Sequence, residues 1–125
     1  MYHTLCHKTL SASFGAASIK CIAHRGSASR VPENSMEGVY DTVALSVKQI
    51  RCDISVTSYG VAVFFHDESP RRMTGDARSV LTLTSSELIQ IPLLTVHICP
   101  SQYIPLAEKW MQAAADQDLF LHLEI

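Results

Sequence analysis

The chain has 125 residues, 47% hydrophobic and 18% charged, with a formal net charge of −2. These values describe one globular domain or part of one, and they set aside a disordered or fibrous chain. The slightly acidic balance, with no run of three Lys or Arg, offers no electrostatic footprint for nucleic acid, and no apolar run approaches the ~18 residues that cross a bilayer.

Residues 1–18, MYHTLCHKTLSASFGAAS, lack the continuous apolar region of a signal peptide and contain no acidic residue. They read as a poorly ordered N-terminal extension ahead of a domain covering 19–125; His3, Cys6 and His7 within it are potential metal ligands, or simply part of a frayed terminus. Cys6, Cys21, Cys52 and Cys99 form no C-x-x-C pair and have no zinc-ligand spacing. Cys21 and Cys52 fall in apolar strand patterns and are expected as buried free thiols, which would suit a reducing compartment such as the cytoplasm.

The first strand is expected over IKCIAH (19–24), followed by the loop RGSASRVPEN. SMEGVYDTVALSVK (35–48) has helical spacing, with Met36, Val39, Val43 and Val47 close to one stripe and Asn34 or Ser35 as its cap. QIRCDISV (49–56) alternates between apolar Ile50, Cys52, Ile54 and Val56 and polar Arg51, Asp53 and Ser55, a strand with two faces. VAVFFHD (61–67) is the third strand, joined through TSYG, a connection too short for a crossover helix. In LTSSELIQI a short helix opens at Thr84 with Glu87 three residues on, a capping box. IPLAEKWMQAAADQD is a longer helix with Pro105 in its first turn, and LFLHLEI is the last strand.

This order of strands and helices is α/β and points to a parallel sheet, about the first four strands of a parallel (β/α) barrel. Such barrels place their chemistry at strand C-terminal ends. His24 and Arg25, Asp53, His66 with Asp67, and Glu124 all fall there.

The pieces IAHRG (22–26), PENS (32–35), CDIS (52–55), VAVFFHDES (61–69), RMTG (72–75), LTSSEL (83–88), YIPLAE (103–108) and LEI (123–125) together resemble the glycerophosphodiester phosphodiesterase family. The resemblance runs from about residue 20 to the end. It implies the N-terminal half of a (β/α)8 barrel of about 250 residues, and a hydrolase that cleaves glycerophosphodiesters or lysophospholipids to an alcohol and glycerol 3-phosphate. It implies acid/base roles for His24 and His66 and a phosphate contact for Arg25. A half-barrel would leave two sheet edges open to self-association; a truncated or degenerate relative, binding a phosphorylated ligand or a partner chain without turnover, is the alternative.

Glu33 and Asn34 resemble family positions near metal and substrate, while Pro-Glu-Asn-Ser is equally a turn and helix cap. The resemblance also implies a divalent cation, Mg²⁺ or Ca²⁺, held by a Glu-x-Asp pair and a later Glu. Asp53 and Glu124 match two of these positions, but Arg51 stands where the first Glu is expected, on the same strand face as Asp53. A guanidinium ~4 Å from a divalent ion costs on the order of 8 kcal/mol at an effective dielectric of 20. Arg51 is expected either to bridge Asp53 and Glu124 in the cation's place, or to turn its long side chain outward or form an ordinary ion pair with Asp53. His122 shares the face of Glu124, as a substitute ligand or as barrel filling.

Overall fold

The computed structural model describes residues 20–94 and 101–125. In chain order the elements are β1 (Ala23–His24), α1 (Met36–Ala44), β2 (Gln49–Val56), β3 (Ala62–Phe64), α2 (Arg71–Thr74), a 3₁₀ turn (Val80–Thr82), α3 (Ser85–Leu88), α4 (Ala107–Asp116) and β4 (Phe120–Glu124). The proposed N-terminal extension, with His3, Cys6 and His7, lies outside the described residues, as does Cys99.

β2 is the centre of the sheet. β1 pairs with it in parallel, Ala23 opposite Ile50 and His24 opposite Arg51. On the other side β4 runs parallel to it, from Gln49 opposite Phe120 to Asp53 opposite Glu124. The remaining strand departs from the expected parallel run: β3 returns antiparallel on the far end of β2, with Ile54, Ser55 and Val56 opposite Phe64, Val63 and Ala62. The cause is local. Residues 57–60 form a tight reversal in which Gly60 takes φ +76° and Thr57 both donates to the Val61 carbonyl and accepts from the Gly60 amide, each at 2.9 Å. A parallel return would need a crossover of a dozen residues or more. The α/β architecture therefore holds three parallel strands and one hairpin excursion.

The two main helices end alike. After α1, Ser46 adopts φ +60° while its amide and that of Val47 donate to the carbonyls of Val43 and Thr42. After α4, Asp118 adopts φ +54° while Asp118 and Leu119 donate to Ala115 and Ala114. Both are Schellman caps built without glycine, and each delivers a buried apolar residue, Val47 or Leu119, to the strand that follows. α1 thus stops at Ala44, short of the expected 48. At its start the cap is Ser35, whose hydroxyl accepts from the Gly38 amide. Pro105 lies ahead of α4 rather than in its first turn, and its carbonyl accepts from the Phe64 amide at 3.1 Å, tying the helix entry to β3. The expected capping box at Thr84 and Glu87 is present.

Two apolar cores follow. Ile50 and Cys52 face Val39, Val47, Trp110, Ala113, Ala114 and Leu119, so α1 and α4 cover one side of the parallel strands. Val63 and Phe65 enter a second core with Val80, Leu83, Leu88 and Ile104. Phe64 joins the first core by stacking on Trp110, ring centroids 4.3 Å apart, and the Trp110 indole N–H donates to the Ser35 carbonyl at 3.1 Å. Cys52 is a buried free thiol, held protonated by a pKa pushed up to about 12 through burial and the neighbouring Asp53, whereas the free thiol of Cys21 is only half-buried. Beyond β2, β4 pairs with no other described strand and exposes Phe120 and Leu123. Among the described residues no helix is long and apolar enough to cross a membrane.

Trp110 is fully buried, carries a polar contact and joins helix to hairpin. Trp110→Ala is expected to cost about 3–5 kcal/mol, a large share of the ~5–15 kcal/mol of a typical domain. Urea unfolding should show a midpoint shift of that size, with Trp110→Phe losing much less.

Candidate functional site

The parallel part of β2 ends at Asp53, level with Glu124 at the end of β4 and two residues past Arg51, which lies opposite His24 at the end of β1. The Phe65 amide donates to the Asp53 carbonyl at 3.1 Å, which brings the end of the hairpin, and with it His66 and Asp67, to the same edge. Four strand ends therefore meet where sequence spacing places the candidates.

Backbone geometry sets the first of them. Arg25 and Asn34 both lie in the left-handed region, at φ +56° and +53°. For arginine this conformation costs about 1–2 kcal/mol. It is held by the Asn34 amide, which donates to the Arg25 carbonyl at 2.8 Å. Gly26, at φ +74°, approaches the first turn of α1 so closely that a Cβ there would lie 3.0 Å from the Gly38 Cα. The His-Arg-Gly turn is thereby pinned against the helix capped by Ser35.

A chain of ion pairs runs across the strand ends. His66 Nδ1 lies 2.6 Å from Asp67 Oδ1. Asp67 Oδ2 accepts from Arg72 Nε at 2.7 Å, and Arg72 Nη2 donates to Glu33 Oε1 at 2.6 Å. Glu33 Oε1 also accepts from Arg25 Nη1 at 3.1 Å. Arg25 Nε is 2.8 Å from Asp53 Oδ2, an ion pair by distance in which the N–H is not aimed at the carboxylate, so that this buried nitrogen makes no hydrogen bond among the described residues. Asn34 completes the hub, its Nδ2 donating to Asp53 Oδ2 at 3.3 Å. Glu33 and Asn34 thus both face this cluster, and Asn34 is not the helix cap.

Titration follows from these contacts. Hydrogen bonding from Arg72 outweighs burial and, with His66, brings the Asp67 pKa down to about 2. Burial would raise Glu33, but the hydrogen bond and charge of Arg72 and the charge of Arg25 outweigh it, together with the opposing Asp67, and hold the group below its usual value. His24 has no hydrogen-bond partner among the described residues, and its pKa is lowered by burial first, then by Arg25 and Arg51, against the opposing pull of Asp53 and Glu33. Arg72, which bonds both acids, was given no role by the sequence reading, although it opens RMTG (72–75), one of the pieces that carry the resemblance.

The other side of the site is looser. Arg51 Nη2 bonds Glu124 Oε2, and both side chains are about half exposed, at 49% and 54%. Arg51 makes one arm of the expected bridge; Asp53 is taken by Arg25 and Asn34 instead. Exposed pairs of this kind contribute about 0–1 kcal/mol. His122 turns toward the strand start, its Nε2 2.9 Å from Gln49 Oε1 and its ring edge-on to Phe120.

The chemistry of these donors does not fit the divalent cation that the resemblance implies. Each expected carboxylate ligand already faces a guanidinium, Arg51 stands where the resemblance implies a third carboxylate, and the described residues hold no group of three or more His, Cys, Asp or Glu side chains able to take a metal. Hard cations of this class need several oxygen ligands at once.

Parallel strands backed by helices, with polar groups gathered at the strand C-terminal ends, define part of a (β/α) barrel. The chain matches the glycerophosphoryl diester phosphodiesterase family over residues 24–122 and belongs to it. A glycerophosphodiester phosphodiesterase of Caldanaerobacter subterraneus is 27% identical over 106 residues, 83% of this chain and 44% of that protein. A lysophospholipase D of Mus musculus is 30% identical over 102 residues, 78% of this chain and 30% of that protein. Among solved structures, a glycerophosphoryl diester phosphodiesterase from Silicibacter pomeroyi superposes with a TM-score of 0.76 at 23% identity, over 87% of this chain and 46% of that one. An Oleispira antarctica phosphodiesterase, in complex with the product sn-glycerol-3-phosphate, gives 0.73 at 22%, over 82% and 42%. The chain thus spans less than half the length of these relatives.

Because the folded pKa of His24 is lowered, the unfolded chain takes up its proton first on acidification. The His24 contribution to stability is therefore full above the ordinary value of 6.5 and falls with pH below it. An NMR titration should place the His24 midpoint below 6.5, and Arg51→Gln should raise it by removing one of the two repelling guanidinium groups; a midpoint at or above 6.5 in the unaltered chain contradicts this.

Proposed function

We propose that the chain carries acid/base and phosphate-binding parts of a phosphodiesterase site that cleaves glycerophosphodiesters, lysophospholipids included, to an alcohol and sn-glycerol 3-phosphate. The observation that carries the reading is the chain of contacts from His66 through Asp67, Arg72 and Glu33 to Arg25, the residue next to His24. It runs from one histidine, His66, to the residue beside the other, and so ties the two histidine-bearing segments together at the strand ends.

Each group has a role that its surroundings favour. His24, uncharged near neutrality, is the base that takes a proton from the attacking water. Asp67 is ionised and can only accept, so His66 carries its proton on Nδ1 and keeps Nε2 for the substrate. A protonated Nε2 delivers that proton to the leaving alkoxide as its bond to phosphorus breaks and the bond from phosphorus to the water oxygen forms. Arg25, anchored by Glu33 and Asp53, presents Nη2, which has no partner among the described residues, to a phosphoryl oxygen. Glu33 and Asn34 are positioning residues that hold Arg25 and Asp53.

A second reading, a relative that binds the phosphorylated ligand without turnover, is favoured by the pairing of Asp53 and Glu124 with arginines. Release of glycerol 3-phosphate from a glycerophosphodiester, measured with and without divalent ions, separates the two. His24→Ala and His66→Ala are each expected to lower kcat/KM by about 10²–10⁴-fold, with His122→Ala, whose ring faces Gln49, as the unaffected control. No release from the folded chain would leave the binding reading in its place.

A further inference from the structure

We infer that Arg51 is a built-in substitute for a divalent cation, so that this strand-end face binds a phosphate group with no metal present. The inference rests on the phosphodiester reading above and specifies how that site is charged.

Charge balance is the first ground. Exchanging a carboxylate for a guanidinium raises the local charge by two units, the charge a divalent ion would have brought. A face with Arg51 and no ion therefore presents an anion with the same net charge as a face with a third carboxylate and a bound ion. The remaining carboxylates are already compensated one by one: Asp53 by Arg25, Glu124 by Arg51 and Glu33 by Arg25 and Arg72. A divalent ion entering here would have to displace a guanidinium from each carboxylate it bound.

Geometry is the second ground. Arg51 lies opposite His24 on one side and His122 on the other, and it shares the strand face of Asp53. Its side chain is about half exposed and its pairing with Glu124 is solvent-accessible, unlike the buried pairing of Arg25 with Asp53. A phosphate can therefore compete for Arg51 without unmaking a buried contact. The planar guanidinium can then offer two parallel N–H donors to two phosphoryl oxygens, which a lysine could not.

The test uses the full chain and sn-glycerol 3-phosphate, followed by calorimetry first in EDTA and then in excess Mg²⁺ or Ca²⁺. Saturable binding in EDTA, changed by less than about twofold when ions are added, is the expected result. Arg51→Gln should weaken it by about tenfold, with Arg51→Lys, which keeps charge and stem, losing less and serving in its place if the glutamine variant does not fold. Arg51→Glu should lose binding in EDTA and regain it only with Ca²⁺ or Mg²⁺. Binding by the unaltered chain only in the presence of ions overturns the inference and leaves the phosphodiester reading standing. Unchanged affinity in folded Arg51→Gln reduces Arg51 to a surface ion pair and overturns it as well. No binding by the folded, unaltered chain under any condition overturns the phosphodiester reading and, with it, this inference.

Discussion

The two-residue period of β2 is the constraint from which the rest of the structure follows. Ile50 and Cys52 go into the helix-covered core while Arg51 and Asp53 go to the other face, and the same segment is paired on both edges by β1 and β4. A register slip of one residue would drive a guanidinium and a carboxylate against Trp110 and expose the core residues. Burying even one unpaired charge costs several kcal/mol, so apolar packing and the position of the polar site are decided by one alternation.

Within the polar site, rigidity is uneven. Arg25, Asn34 and Asp53 are interlocked near the start of α1, and the left-handed conformations at Arg25 and Asn34 persist because hydrogen bonds and the close approach of Gly26 to Gly38 over-determine them. Among the described residues, the side chains of Arg51 and Glu124 are held by each other at the surface. One part of the face is interlocked, and the other rests on a single solvent-exposed ion pair. Arg72 joins the hairpin loop to the loop after β1 by bonding Asp67 and Glu33 together, so the two histidine-bearing segments are coupled by side chains rather than by strand pairing.

Membership of the phosphodiesterase family rests on the match of residues 24–122 to the family as a whole. The strand that supplies Asp53 supplies Arg51 as well, and its consequence for the site is electrostatic, because the backbone of a strand is indifferent to which polar residue occupies its open face.

The sequence by itself determined the α/β order, the two faces of β2, the caps at Ser35 or its neighbour and at Thr84, and the gathering of His24, Arg25, Asp53, His66 and Glu124 at strand ends. All of these are local: periodicity and side-chain capping are written within a few residues. The tertiary structure alone decided that β3 turns back on β2, that α1 ends at a left-handed Ser46 with no glycine to mark it, that Asn34 serves Asp53 rather than the helix, and that Arg72 bonds Glu33 across 39 positions. It also decided the division of partners, Arg25 to Asp53 and Arg51 to Glu124. Charged side chains choose among partners by distance and burial, and those are properties of the assembled sheet and its loops that no single segment carries.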